Sequence, residues 1–371
     1  MFWWKRHKET ILILFLLLIL TIPVILPLLH GGFFQSDDGE WMVIRFSAFH
    51  QALRDGQFPV RWLGRLNQEY GYPVANFLYP GFMYLAEIPK AIGFGFVDSI
   101  KIIIGLSLIS SAVFTFFWLK KIFTLFSAFM GVIFYFYAPY HLWDVYKRGS
   151  VGEVLALAVV PFILWMVEKK NWFFYSCGIG LLILSHNTLA ILFLPIIIIY
   201  TFFRKILNKQ SFSASKQSFS SNTKYLILNT VIGLGLATFF WLPALYDLQY
   251  THFYETTVSN WRSYFVNINL IGYATLAIIL LNFITLRRFD DPDHQSKKLF
   301  WFFFLLGIGS IFLATSFSAS VWQYLPVSFI QFPFRLLSVT ILCGAFLTAF
   351  ITEKIGKLKI PLTLILIVII F

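Results

Sequence analysis

Five groups of side chains in this sequence could do chemistry, and all lie at the ends of apolar runs or between them. Ser36-Asp37-Asp38-Gly39-Glu40 sets two adjacent carboxylates just past the first apolar run. A carboxylate there can act as general base on a hydroxyl, or hold a divalent ion such as Mg or Mn against a phosphate. The same residues also read as Asp-x-x-Glu, the capping box of a helix starting near Glu40. One cap needs one carboxylate, so the second must be solvated, paired or functional. In Tyr146-Lys147-Arg148-Gly149-Ser150-Val151-Gly152-Glu153, two cations and an acid meet at the start of a helix. Lys147 and Arg148 suit a phosphate, with Glu153 near an acceptor or a metal; the alternative is structural pairing with other loops. Arg148 and Glu153 are not at i,i+4 spacing, so an intrahelical bridge between them is not favoured. His186, beside Asn187, is either a proton-transfer group or a satisfied histidine at a helix end. Arg61 and Arg65 suit phosphate. In Gln331-Phe332-Pro333-Phe334-Arg335, a cation enters an apolar run, where it must neutralise an acid or bind a lipid phosphate, an assignment that takes in Gln331. The histidines show no close metal-ligand spacing.

The elements that position these groups are membrane helices. The chain is 58% hydrophobic and 12% charged, with mean hydropathy +0.76, whereas a soluble domain carries about 25% charged residues. The runs approach or reach the roughly 20 residues that cross a bilayer, and they lack barrel-strand alternation. This predicts an all-α polytopic membrane protein of about eleven helices, near 10–29, 102–119, 122–139, 153–167, 172–184, 188–203, 225–245, 269–286, 299–317, 336–352 and from 360 onward. The formal charge of +12 is scattered between the runs rather than gathered in a patch, which argues against nucleic acid. Cys177 and Cys343 fall inside apolar runs and read as small core residues. The first run is too long for a signal h-region, which predicts an uncleaved first helix.

With the N-terminus in the cytoplasm, most of the 29 basic residues fall in inside loops, Lys120-Lys121, Lys169-Lys170 and Arg287-Arg288 among them. That orientation predicts a multi-pass plasma-membrane protein, and it requires the Pro- and Gly-broken stretch Phe77–Phe96 to return to the outer face as a re-entrant or interfacial helix. Most acids, Asp37, Asp38, Asp144 and Glu153 included, then lie outside. Residues 30–101 form the first outer loop and 204–224 a polar cytoplasmic loop, within a single polytopic domain spanning 1–371. The chain ends at Phe371 inside an apolar run and is expected to continue.

Within the first outer loop, Met42, Val43, Phe46, Phe49 and Leu53 share one face of a helix from about Glu40 to Asp55, expected to lie flat on the outer leaflet. Gly56-Gln57-Phe58-Pro59-Val60-Arg61-Trp62, Tyr70-Gly71-Tyr72-Pro73 and Asn76-Phe77-Leu78-Tyr79-Pro80 then predict an ordered, irregular loop at headgroup level. Farther on, Trp241 reads as an interfacial aromatic and Pro243 as a helix terminus.

This series of a first helix, an acidic pair, an amphipathic helix ending in Gly, and Pro-Val-Arg-Trp and Tyr-Gly-Tyr-Pro loops resembles the GT-C superfamily of membrane glycosyltransferases. The resemblance is nearest to a bacterial and archaeal branch labelled "6-pyruvoyl-tetrahydropterin synthase-related" membrane proteins and to the YfhO-like proteins. Tyr146–Glu153, Ser185-His186-Asn187, Phe240-Trp241-Leu242-Pro243-Ala244-Leu245 and Gln331–Arg335 extend it over most of the chain. It implies a transferase of the cell envelope with a polyisoprenyl-phosphate-linked sugar as donor and an acceptor not named by the sequence. It also implies that Asp37 or Asp38 serves as catalytic base or metal ligand. Two other readings stay open. A transporter or flippase of lipid-linked sugars would show ionisable residues at mid-membrane depth and internal repeats, and the spans contain few such residues. A catalytically silent member of the same fold would leave the acids and cations dispersed.

Overall fold

In the computed structural model, residues 2–207, 216–251, 261–286, 294–324 and 330–355 are described. The crossing expected from 360 onward lies outside them, as do Lys209, His252, Glu255, Arg287, Arg288, Lys357 and Lys359. Among the described residues the fold is all-helical. In chain order the helices are α1 (Phe2–Ile25), α2 (Gly39–Arg54), α3 (Val74–Phe77), α4 (Gly81–Ile92), α5 (Phe96–Leu119), α6 (Leu125–Tyr137), α7 (Pro139–Trp143), α8 (Val151–Lys169) and α9 (Trp172–Ser185). They continue with α10 (Asn187–Leu207), α11 (Lys216–Leu236), α12 (Thr238–Asp247), α13 (Ile268–Ile271), α14 (Tyr273–Leu286), α15 (His294–Ala314), α16 (Ala319–Tyr324) and α17 (Leu337–Lys354).

Among the described residues, six helices are long and apolar enough to cross a membrane: Lys8–Leu29, Phe96–Leu119, Val151–Lys169, Asn187–Arg204, Lys297–Ala314 and Pro333–Lys354. Two bent pairs, Leu125–Tyr137 with Pro139–Arg148 and Lys224–Leu236 with Thr238–Tyr250, raise the number to 8 if each pair is one span. Two more apolar helices, Trp172–Ser185 and Tyr273–Thr285, are shorter. At 1.5 Å per residue, 14 residues rise about 21 Å, less than the roughly 30 Å of a hydrocarbon core. These helices fit an integral membrane protein. α4, in the stretch Phe77–Phe96, has 12 residues and is not among the described helices long and apolar enough to cross.

The chain clusters into two units. One takes in the described residues of Met1–Val24, Ser111–Trp143 and Thr257–Phe371, the other Ile25–Ser110 and those of Asp144–Thr256. In the first, α17 is the hub. The Pro333–Lys354 span is buried from Pro333 to Thr352, and α6, α14 and α15 pack on α17. Small residues permit that approach: a Cβ at Gly131 would lie 2.6 Å from the Ala345 carbonyl, and one at Gly344 would strike the Phe134 ring. Phe303 and Phe346 stack at 4.2 Å across the seam between α15 and α17. Cys343 is buried in it as a small core residue; Cys177, on α9, is only half-buried.

In the second unit, α8 packs against α9 and α10, α11 against α9, and α4 against α2, α8 and α9. Gly81 allows α4 to approach α9, since a Cβ there would lie 2.6 Å from the Leu184 carbonyl. The amphipathic helix α2 departs from expectation. Met42, Phe46 and Phe49 are buried in protein rather than laid on lipid, with Phe49 edge-on to Tyr84 and Phe46 edge-on to Phe96. His50 Nδ1 lies 2.8 Å from Glu87 Oε2, a second clamp between α2 and α4. α4 supplies much of the protein face against which this stripe is buried.

Pro243 also departs from expectation: it lies inside α12 rather than at a helix end. Proline there leaves the Phe239 carbonyl without its intrahelical donor, and Arg61 Nη2 donates to that oxygen at 3.3 Å. Trp241 Nε1 donates to the Leu234 carbonyl at 2.9 Å, bridging the break between α11 and α12. Arg61 is thereby occupied by a helix defect. Val60 N donates to the Tyr84 hydroxyl at 3.2 Å. Burial pushes the Tyr84 phenol above its ordinary value, against the opposing influences of that amide and of the Arg61 charge.

Candidate functional site

The acidic pair and the Lys-Arg pair are joined twice, once through the backbone and once through side chains. Asp37 N donates to the Lys147 carbonyl at 2.9 Å and Asp38 N to the Arg148 carbonyl at 2.8 Å. Lys147 Nζ lies 2.8 Å from Asp37 Oδ1, and Arg148 Nη2 lies 3.4 Å from Asp38 Oδ2. The approach of the two segments depends on Gly149. Its φ is +66°, and a Cβ would lie 2.5 Å from Ser36 Oγ and 2.7 Å from Gly39 N. Gly149→Ala is expected to cost at least about 2 kcal/mol, combining a left-handed conformation with a clash against backbone. Equilibrium unfolding of the purified protein in detergent would measure it, and an unchanged stability would mean that the bracket can open freely.

Asp38 occupies the N-cap position of α2, yet its side chain makes no capping hydrogen bond. Ser36 Oγ instead accepts from Gly39 N at 3.1 Å, while Asp38 turns toward Arg148. The capping box expected from Asp-x-x-Glu is therefore not formed. The segment leading to it is anchored by Lys101, whose Nζ donates to the carbonyls of His30 at 2.6 Å and Gly32 at 3.1 Å. Phe33 stacks on Phe34, which packs against Tyr146.

Behind Asp38 lies a buried array. Arg148 Nη1 donates to Asp144 Oδ1 at 3.0 Å and to Glu153 Oε1 at 2.5 Å. Both carboxylates have fully buried side chains, and the Arg148 side chain is 7% exposed. The pairing of Arg148 with Glu153, not favoured on spacing, forms because the helix is interrupted. A π-helical turn spans Asp144–Arg148, the chain reverses hand at Gly149, and α8 restarts at Val151 with Glu153 in its first turn. That turn is also where the helix dipole favours an acid. His186 Nε2 lies 3.4 Å from Glu153 Oε1, while its Nδ1 accepts from Leu189 N at 3.3 Å. With Nδ1 accepting, the neutral ring carries its proton on Nε2, facing Glu153. Tyr79 covers the imidazole at 4.5 Å, and Gly152 lets the start of α8 close on Tyr79 and the Ser185 carbonyl.

Sequence reasoning named Asp37, Asp38, Lys147, Arg148, Glu153 and His186, and the structure brings these six together. It missed Asp144, although Asp144-x-x-x-Arg148 is an i,i+4 pair that could have been read, and it missed Tyr79, which carries no such signal. Arg61 and Arg65 are not in this cluster: Arg61 serves Phe239, and Arg65 Nη2 donates to Ser47 Oγ. Gln331 and Arg335 belong to the other unit. There, Arg335 is buried, donates to Gln331 Oε1 at 2.6 Å and to the Ile330 carbonyl at 3.2 Å, and stacks on Phe332.

The arrangement sets four carboxylates against two cations, graded from solvent inward. Lys147 and Asp37 are the outermost, with 63% and 50% of their side chains exposed, Asp38 follows at 44%, and the rest are buried. A hydroxyl could reach Asp38 from solvent, and a phosphate could reach Lys147. Among the described residues no group of three or more His, Cys, Asp or Glu side chains is placed to hold a metal ion. Asp37 and Asp38 each face a cation instead of one another's ligand sphere, so these residues do not by themselves form a metal site. No protein-family model matches this chain, and no curated protein matches it.

Proposed function

We propose that this cluster is the reaction centre of a membrane glycosyltransferase that moves a sugar from a polyisoprenyl-phosphate-linked donor to an acceptor hydroxyl on the non-cytoplasmic face. The observation that supports the reading best is the partly exposed Asp38 carboxylate, fixed in direction by Arg148, which is itself fixed by two buried acids. Asp38 takes the proton of the acceptor hydroxyl as its oxygen attacks the anomeric carbon. The bond from that carbon to the phosphate oxygen breaks, and the polyisoprenyl phosphate leaves with the bonding electrons. Lys147, the one cation of the cluster open to solvent, offsets the charge on the leaving phosphate. Arg148, Glu153 and His186 are positioning residues here, since none reaches the surface. No step is assigned to a divalent metal.

The test supplies polyisoprenyl-phosphate sugars and candidate acceptors to purified protein. Transfer by the native chain, with loss in a variant carrying both Asp37→Asn and Asp38→Asn, is the expected result. Transfer that continues in the double variant overturns the reading. One observation favours a flippase instead: Glu153 sits in the first turn of a candidate span, and Asp144 and Arg148 lie in a bent pair, where buried ionisable groups often mark a transport path. Movement of a lipid-linked sugar across proteoliposomes without any transfer would select it.

A further inference from the structure

The polar side of α2 and the loop after it enclose an open cleft of 390 Å³, whose lining includes Gln51, Asp55, Gln57, Trp62, Arg65 and Glu69. That volume lies within the range of small-ligand sites. Trp62 is 49% exposed, and its indole rests against Gly71, where any Cβ would collide with the ring. The loop carrying it is tied down. Gln57 Oε1 accepts from the amides of Arg61 at 2.5 Å and Trp62 at 2.8 Å, and Gln57 Nε2 donates to the Trp62 carbonyl at 3.2 Å. Leu63 and Tyr72 exchange backbone hydrogen bonds at 3.0 and 3.2 Å. Asn67, Gln68 and Glu69 are all left-handed, at φ 56°, 54° and 71°, a conformation disfavoured for L-residues. The side chains of Gln51, Asp55 and Glu69 have no hydrogen-bond or ion partner among the described residues, while Arg65 is steadied by Ser47.

From this combination we propose that the cleft binds a neutral oligosaccharide. A rigid, half-exposed indole offers a platform for the C–H face of a pyranose ring. Sugar hydroxyls both donate and accept, so they can satisfy the two carboxylates and the arginine together. Two acids against one cation disfavour a phosphate. Gln51 lies twelve positions beyond Gly39, so the cleft is about 18 Å along α2 from the Asp38 end. The bound sugars are therefore remote from the reacting hydroxyl, and the cleft reads the distal part of a glycan acceptor. That role rests on the transferase reading; the binding itself does not.

Purified full-length protein in detergent is titrated calorimetrically with maltotetraose and with chitotetraose, without any donor. Saturable binding of at least one is expected. Trp62→Ala should weaken it at least tenfold, as should Asp55→Asn with Glu69→Gln, with the unfolding midpoints unchanged, and inorganic phosphate should not compete. No saturable binding of either sugar, binding that survives both variants, or displacement by phosphate overturns the proposal. Binding should persist when Asp37→Asn and Asp38→Asn are both present. Intact transfer without cleft binding sinks only the cleft, and binding without transfer sinks only the catalytic reading.

Discussion

Asp38→Asn is expected to slow sugar transfer by about 10²–10⁴-fold, the usual worth of a positioned general base, whereas Asp37→Asn should slow it far less. The two aspartates are neighbours in sequence but not in circumstance. Asp37 faces Lys147, with both side chains at least half exposed, a pairing of the kind that contributes little and is readily replaced by water. Asp38 faces Arg148, whose guanidinium is held by Asp144 and Glu153 behind it. Its carboxylate is therefore aimed, and Oδ1 has no protein partner among the described residues. Asparagine keeps the shape and can still meet the arginine, so loss of rate reports loss of the proton acceptor rather than collapse of the bracket. The measurement is the single-turnover transfer rate for each variant beside its unfolding midpoint. Equal effects at Asp37 and Asp38 would remove the distinction drawn between them.

Much of this placement was legible beforehand because two of its signals are strictly local. Apolar run length identifies membrane helices without reference to anything distant, and charged residues stranded between such runs mark their ends. The cluster itself was legible only as a list. Asp37 and Asp38 lie more than a hundred residues from Lys147 and Arg148, and the register of the two pairs is set by a backbone bracket that no side-chain pattern announces. The departures fall where a tertiary competitor overrides a local pattern. The Asp-x-x-Glu pattern looked like a cap, but Arg148 competes for the Asp38 carboxylate and Ser36 takes the amide. The Arg148–Glu153 spacing looked wrong for a pair only so long as the helix was taken as unbroken. Arg61 looked free for phosphate, but its partner is a carbonyl released by Pro243 far along the chain. The apolar stripe of α2 was correctly located, while its burial depended on partners that the stripe does not announce, Tyr84 on α4 and Phe96 on α5.

Arg148→Met is expected to destabilise the protein by about 3–5 kcal/mol, because it leaves the buried Asp144 and Glu153 carboxylates without their shared cation. Methionine fills much of the aliphatic volume of arginine, so the loss reports charge rather than a cavity. Removing the charges together gives the opposite expectation. Arg148→Met combined with Asp144→Asn and Glu153→Gln should recover most of the stability, since the desolvation of the acids is then no longer imposed. Both results would be read from equilibrium unfolding in detergent, with the transfer assay run in parallel. The triple variant separates the two purposes that the array serves. If it folds like the native chain but transfers slowly, the buried ions exist to aim Asp38. If it folds and transfers normally, they are a structural clamp and the catalytic reading must rest on Asp38 and Lys147 alone. A single Arg148→Met variant as stable as the native protein would show that the two acids are neutral or reached by water, and the buried array would lose its claim to hold the site in shape.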